Sequence, residues 1–222
     1  MASKRRRVLI LADSLGCPRE GTPVENTWVD RILQKYSDKF IFYTYCEHGL
    51  SARNLKLNYI EEIKPEIIIV QIGIVDAVRR ALPLNLLKVI NAIKVLQNII
   101  RCFVRKNHYF LTKTKEIHYC NLDEFKAKIN TLVGLTKNSM FVTIAPPGKY
   151  MCDITYNVEA DVAKYNEAII DIANSNSQTV ANPYADISDF LLEDGHHLNS
   201  VGVDAVYKSV DSYLMGLLDS NE

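Results

Sequence analysis

Missing from this chain is any apolar run long enough to cross a membrane. No stretch of the 222 residues approaches the roughly 18 that a transmembrane helix needs. Val8-Leu9-Ile10-Leu11 follows a basic stretch, but it is too short for the apolar core of a secretion signal, and a polar turn follows it. An excess of either charge is missing too. Lys plus Arg number 26 and Asp plus Glu number 26, which points away from nucleic acid or a membrane surface as the main partner. The basic run Lys4-Arg5-Arg6-Arg7 reads as a solvated arm leading into a first strand, and is a weak match to a nuclear or nucleic-acid signal. The five cysteines, Cys17, Cys46, Cys102, Cys120 and Cys152, form no C-x-x-C pair. That excludes a disulfide framework and a cysteine-based zinc site, and predicts reduced thiols in a cytoplasmic protein. There is no internal repeat, low-complexity segment or interdomain linker, so residues 1–222 are expected to form one domain.

What the chain does have is an alternation of buried-strand and helix signals. Val8 to Leu11 is a continuous apolar run suited to a strand covered on both faces. Phe40 to Tyr45, Glu66 to Ile72, Met140 to Ala145 and Thr179 to Ala181 are further strand candidates. Between them, helices are predicted over Val24 to Tyr36, Ser51 to about Ile63, Asn85 to Arg105, Leu122 to Leu135, Asn157 to Asn174 and Ser200 to Leu218. Ser51 is the expected N-cap of the second, and Asn199 is a candidate N-cap for the last. On the helix at 85–105, Leu86, Val89, Ile90, Ile93, Leu96, Ile100 and Phe103 form a broad apolar stripe, which is expected to be core. Residues 106–121 resemble an insertion. This order predicts an α/β protein with a mostly parallel sheet of about five strands and helices on both faces.

The first strand ends at Ala12-Asp13-Ser14-Leu15-Gly16, which places a serine at the carboxyl edge of the sheet, where open α/β sheets bind ligands. A nucleophilic serine needs a base, and the base needs a carboxylate to hold its tautomer. Asp194-Gly195-His196-His197, just before the last helix, supplies both: a carboxylate three residues ahead of an imidazole can contact it when the segment turns. The bland alternative for this segment is a polar loop capping the last helix. Adjacent histidines rarely face one ion, and no other His or Cys group has ligand spacing, so no metal is expected.

Taken in order, these blocks resemble the SGNH (GDSL) hydrolase family. Its Gly-Asp-Ser block appears as Ala12-Asp13-Ser14-Leu15, its glycine block as Gly49, its Gly-x-Asn-Asp block as Gly73-Ile74-Val75-Asp76, and its Asp-x-x-His block as Asp194-Gly195-His196-His197. The resemblance spans Leu11 to His197 and implies a flavodoxin-like three-layer α/β/α sandwich. It also implies ester hydrolysis or acyl transfer without metal or organic cofactor. By position, Ser14 is the nucleophile, His197 the general base and Asp194 its orienter, while the backbone N–H groups of Ser14 and Gly49 form part of the oxyanion hole. Asp13, Gly73, Asp76 and Arg79 are expected around the site, and Lys149 and Tyr150 are candidates to line a substrate pocket.

Two positions depart from the pattern. Ala12 replaces the first glycine, a small change. Val75 replaces the asparagine whose side-chain amide would donate to the oxyanion, and Asp76, Arg79, Asn26 and His48 are the polar groups considered as stand-ins. The expected substrate is a small O-acyl, acetyl-like ester on a carbohydrate, which would fit synthesis or remodelling of a surface polysaccharide precursor. The same three residues would serve an O-acyltransferase. Val75 leaves open a non-catalytic ligand-binding protein on the same scaffold.

Overall fold

A computed structural model describes residues 5–220, without the side chains of residues 88, 91 and 94–96. Lys4 and the Leu96 side chain therefore lie outside the described residues. The strands are β1 (Arg6–Ala12), β2 (Phe40–Cys46), β3 (Ile67–Gln71), β4 (Ser139–Val142) and β5 (Thr179–Ala181). They form one parallel sheet in the order β2-β1-β3-β4-β5. The helices are α1 (Trp28–Tyr36), α2 (Leu57–Ile63), α3 (Ile74–Ala77), α4 (Leu84–Ala92), α5 (Lys94–Thr114), α6 (Leu122–Leu135), α7 (Lys149–Ile154), α8 (Val158–Ser175) and α9 (Ser200–Asp219). Among the described residues no helix is long and apolar enough to cross a membrane.

Strand side chains alternate between faces, so the apolar runs feed two cores. Leu9 and Leu11 of β1 and Ile68 and Val70 of β3 pack with Ile60, Phe125, Ile129 and Tyr165 from α2, α6 and α8. Val8, Ile10, Ile67 and Ile69 pack on the other face with Trp28 and Ile32 of α1 and Val206, Val210 and Leu214 of α9. Three layers result, as the alternating strand and helix signals predict. Since β2 lies on one side of β1 and β3 on the other, the chain reverses direction across the sheet between β1 and β3. That reversal opens a crevice at the strands' carboxyl ends, and the turns after β1 and β3 flank it.

Several local expectations are corrected. The helix expected from Val24 begins at Trp28, because the Thr27 hydroxyl caps Asp30 N–H and leaves Val24–Asn26 as a separate 3₁₀ turn. Ser51 caps the short turn Ala52–Asn54 and not α2. The basic residues of the N-terminal arm are not simply solvated: Arg6 belongs to β1 and reaches the Leu217 carbonyl, and Arg7 pairs with Glu66. The helix expected at 85–105 is two helices that meet at Ile93, and α5 runs on to Thr114, through most of the segment read as an insertion. Its apolar stripe is not core. Ile90 is buried, but Leu86, Val89, Ile93 and Phe103 are exposed. The physical reason is that α1, α9, α2, α6 and α8 already cover the sheet. The α4–α5 pair instead packs on itself and on α7, beside the crevice. Asn199 does cap α9, accepting from the N–H groups of Val201 and Gly202.

Candidate active site

The turn after β1 is built by its aspartate. Asp13 N–H donates to the Gln71 carbonyl at the end of β3, and the Asp13 carboxylate accepts Leu15 N–H at 3.0 Å, starting the 3₁₀ turn Ser14–Gly16. Burial, partly offset by the Leu15 hydrogen bond and reinforced by nearby Asp76, pushes the Asp13 carboxyl up to about 7. Beneath, Trp28 Nε1–H donates to Gln71 Oε1 at 2.7 Å and Gln71 Nε2–H donates to the Tyr184 hydroxyl at 3.1 Å. This buried chain pins the strand ends, and nothing in the sequence pattern signalled it. Arg19 donates to the Ser14 carbonyl from the outer side.

Residues 183 positions apart meet here. Ser14 Oγ lies 3.1 Å from His197 Nε2, and His197 Nδ1 lies 2.7 Å from Asp194 Oδ2. Asp194 Oδ1 accepts the backbone N–H groups of His196 and His197 at 3.1 and 3.0 Å. One carboxylate therefore folds the loop and orients the ring. Although partial burial opposes ionisation, the hydrogen bonds from the His197 backbone and ring and the His196 backbone hold Asp194 down at about 2. The His197 imidazole is pushed below its ordinary value by burial, against the pull of Asp194 and with help from the charges of His196 and Arg19. It is thus neutral near pH 7, with its proton on Nδ1 facing the carboxylate and a lone pair on Nε2 facing the serine hydroxyl.

The serine opens into a cleft of about 460 Å³. Gly49 and His48 line one part of it, and Ile74, Val75 and Val78 another. Gly49 has φ 74°, a left-handed conformation that favours glycine at the cleft wall. Gly73 has φ 133°, and a Cβ there would meet Ile144 Cδ1 at 2.7 Å, so glycine is required by backbone and packing together.

The other expected residues divide. Asp76 is fully buried and points away from the cleft, accepting the Ser51 hydroxyl and the Ala52 N–H. Burial raises its carboxyl to about 6 despite those bonds. Arg79 is not at the site: its guanidinium is buried against Asp161, with Glu116 beside it. The neighbouring Arg80 lines the cleft instead. It donates to the Val75 carbonyl at 2.7 Å, lies over the Tyr119 ring, and buries an Nε that has no partner among the described residues. The two arginines lie just beyond α3, outside any helix, and which one faces the cleft depends on Asp161, 82 residues away from Arg79 in sequence. Asn26 lines a different cavity, with Arg31 and Ser200. Lys149 pairs with Asp153 in solvent, while Tyr150 lines a groove next to the cleft. His108, Met151, Ile154 and Thr155 line the cleft as well and carried no sequence signal.

Asp194, His196 and His197 are close enough to offer ligands to one ion. However, both ring nitrogens of His197 already face Asp194 and Ser14. A second such group, Glu116, His118 and Asp161, surrounds the Arg79 guanidinium, which already supplies the positive charge there.

No family model and no curated protein matches the chain. Solved structures do. The acetylxylan esterase Axe2 from Geobacillus stearothermophilus is 17% identical, covers 94% of this chain and 93% of its own, and superimposes with a TM-score of 0.62. A lipase/acylhydrolase from Enterococcus faecalis is 12% identical, with 95% and 96% covered and a TM-score of 0.64. TesA is 11% identical, with 96% and 99% covered and a TM-score of 0.62. Coverage of this extent at such low identity is a likeness of fold: the chain shares the three-layer α/β/α arrangement of these structures.

Proposed function

We propose that the protein is a carboxylic ester hydrolase working through Ser14, His197 and Asp194. The observation that carries this reading is the continuous relay from Asp194 through His197 to Ser14 at the mouth of the cleft. Ser14 Oγ attacks the ester carbonyl while His197 Nε2 takes its proton. The negative charge on the carbonyl oxygen is met by the backbone N–H groups of Ser14 and Gly49. His197 then returns the proton to the leaving alcohol, and the acyl group stays on Ser14. Water attacks next, gives its proton to His197, and the acid departs as Ser14 recovers its hydrogen. Asp194 stays ionised and stabilises the imidazolium at each step.

Val75 supplies no side-chain donor. Arg80 brings positive charge to the same wall of the cleft, and we assign it the support of developing negative charge in place of the missing amide. The likeness to an acetylxylan esterase supports a small, acetyl-like O-acyl ester on a carbohydrate. An acyltransferase would use the same residues, with a sugar hydroxyl in place of water. Val75 specifically favours the second reading, a ligand-binding protein that has lost hydrolysis.

The deciding experiment is p-nitrophenyl acetate turnover, with fluorophosphonate labelling, in the wild type and Ser14→Ala. Turnover and labelling that both vanish in the variant are expected. Labelling without turnover would indicate an activated serine awaiting another acceptor or substrate. Absence of both in the wild type would favour the binding protein.

A further inference from the structure

The balanced total charge conceals an uneven distribution. Residues 84–114, the α4–α5 pair, hold six cations (Lys88, Lys94, Arg101, Arg105, Lys106 and Lys113) and no Asp or Glu, leaving 20 of the 26 cations to balance all 26 acids elsewhere. Arg101, Arg105 and Lys106 are exposed, and none has an ion-pair partner among the described residues. The same helix leaves large apolar side chains in water: Ile99 is 66% exposed, Phe103 59% and Phe110 64%. At about 3.6 residues per turn, these three share one stripe of α5 with Lys106 and Lys113. Val104 and His108 lie on the opposite side of the helix and line the inward cavities. On α4, Leu86, Val89 and Ile93 are exposed as well.

We infer that the outer face of α5 is a docking surface for an anionic lipid bilayer, on which the protein lies without crossing it. Charge complementarity and the pattern of the stripe carry the inference. Cations interleaved with exposed apolar side chains on one helix face suit a membrane surface. The Ile99 side chain and the Phe103 and Phe110 rings enter the boundary of the acyl chains, while Lys106 and Lys113 stretch back along their stems to the lipid phosphates. Screening confines the surface potential of the lipid to about 8 Å, so the charge of this face counts and the zero total of the chain does not. No acid in residues 84–114 opposes the approach. A second copy seated on the same face would set cations against cations. A rigid acidic partner would need a surface cut to fit the protruding rings, whereas a fluid bilayer adapts to them. Because His108 lines the serine cleft from the opposite side of α5, docking holds the cleft about one helix diameter, ~10–12 Å, from the lipid.

The test sediments the full chain with vesicles of phosphatidylcholine alone and of phosphatidylcholine with an equal share of phosphatidylserine. Binding to the mixed vesicles is expected to be at least tenfold tighter and to weaken as salt is raised. Phe103→Glu and Lys106→Glu, both at exposed positions, are each expected to weaken it at least fivefold. Thermal melting and p-nitrophenyl acetate turnover without vesicles are expected to match the wild type in both variants, which shows that they fold. Equal binding to the two vesicle types, no binding to either, or binding unchanged in both folded variants would overturn the inference. A concentration-dependent dimer that both variants dissolve, in a protein that ignores vesicles, would overturn it in favour of a second copy, and binding of single-stranded DNA without binding of vesicles would overturn it in favour of nucleic acid. Vesicle binding that both variants weaken, in a protein that cleaves no ester, would uphold the docking surface and sink the hydrolase reading alone.

Discussion

The turns after β1 and β3 sit side by side at the same edge of the sheet, yet they use their polar residues in opposite ways. Both follow strands with buried apolar centres, both bury one carboxylate, and in both burial drives that carboxyl well above its ordinary range, Asp13 to about 7 and Asp76 to about 6. The first turn spends its aspartate on backbone and thereby holds Ser14 at the cleft, facing His197. The second spends its aspartate on the 51–52 segment and offers the cleft only Ile74 and Val75. The comparison teaches that a matching place at the sheet edge does not ensure matching chemistry. One turn presents the serine proposed as nucleophile, whereas the other is a structural strut, and the cleft cation Arg80 comes from just beyond it.

The sharpest way to break this contrast is to disarm the reactive turn. Asp194→Asn leaves Ser14 in place but no longer holds the His197 tautomer, and turnover is expected to fall on the order of 10⁴-fold with little change in melting temperature. The structural turn answers in the other currency. Asp76→Ala strands the buried Ala52 N–H and Ser51 hydroxyl, and urea unfolding is expected to show a loss of about 1–3 kcal/mol. Equal effects of the two variants on turnover and stability would erase the distinction. Giving the second turn the missing donor should narrow the gap. Val75→Asn is expected to raise kcat/KM about tenfold, less than the 10²–10³ a fully pre-set donor contributes. An unchanged or lower rate would show that Arg80 already fills the role.

The smallest effect is electrostatic. His197 is held below its ordinary pKa by burial first, with Arg19 among the charges that lower it further. Only the neutral ring is a base, so kcat/KM rises with pH and reaches its plateau near or below pH 7. Removing the positive charge in Arg19→Gln makes protonation easier, so the acid limb is expected to move to higher pH by less than about one unit. A limb that moves to lower pH would contradict the placement of Arg19 beside the ring.

Much of the frame is legible because strand and helix signals here are local. The apolar runs at 8–11 and 67–70 can only be buried on both faces, and that alone calls for helices on each side. The short spacing of Asp194 and His197 limits their contact to one loop, so that pair can be read as well. The α4–α5 pair is misread for an equally physical reason. Periodicity marks an apolar face but not what covers it, and the sheet's two faces are filled by other helices.

By itself, then, the chain determines its layers, its strand directions and the local groups Asp13 with Ser14 and Asp194 with His197, because each follows from neighbours within a few residues. Only the tertiary structure decides that Ser14 meets His197 across 183 positions, that Arg79 is drawn to Asp161 while Arg80 is left to the cleft, and that the apolar stripe of α5 is left in water. Those outcomes depend on which distant partner reaches a side chain first, a competition settled by packing and not encoded in any single stretch.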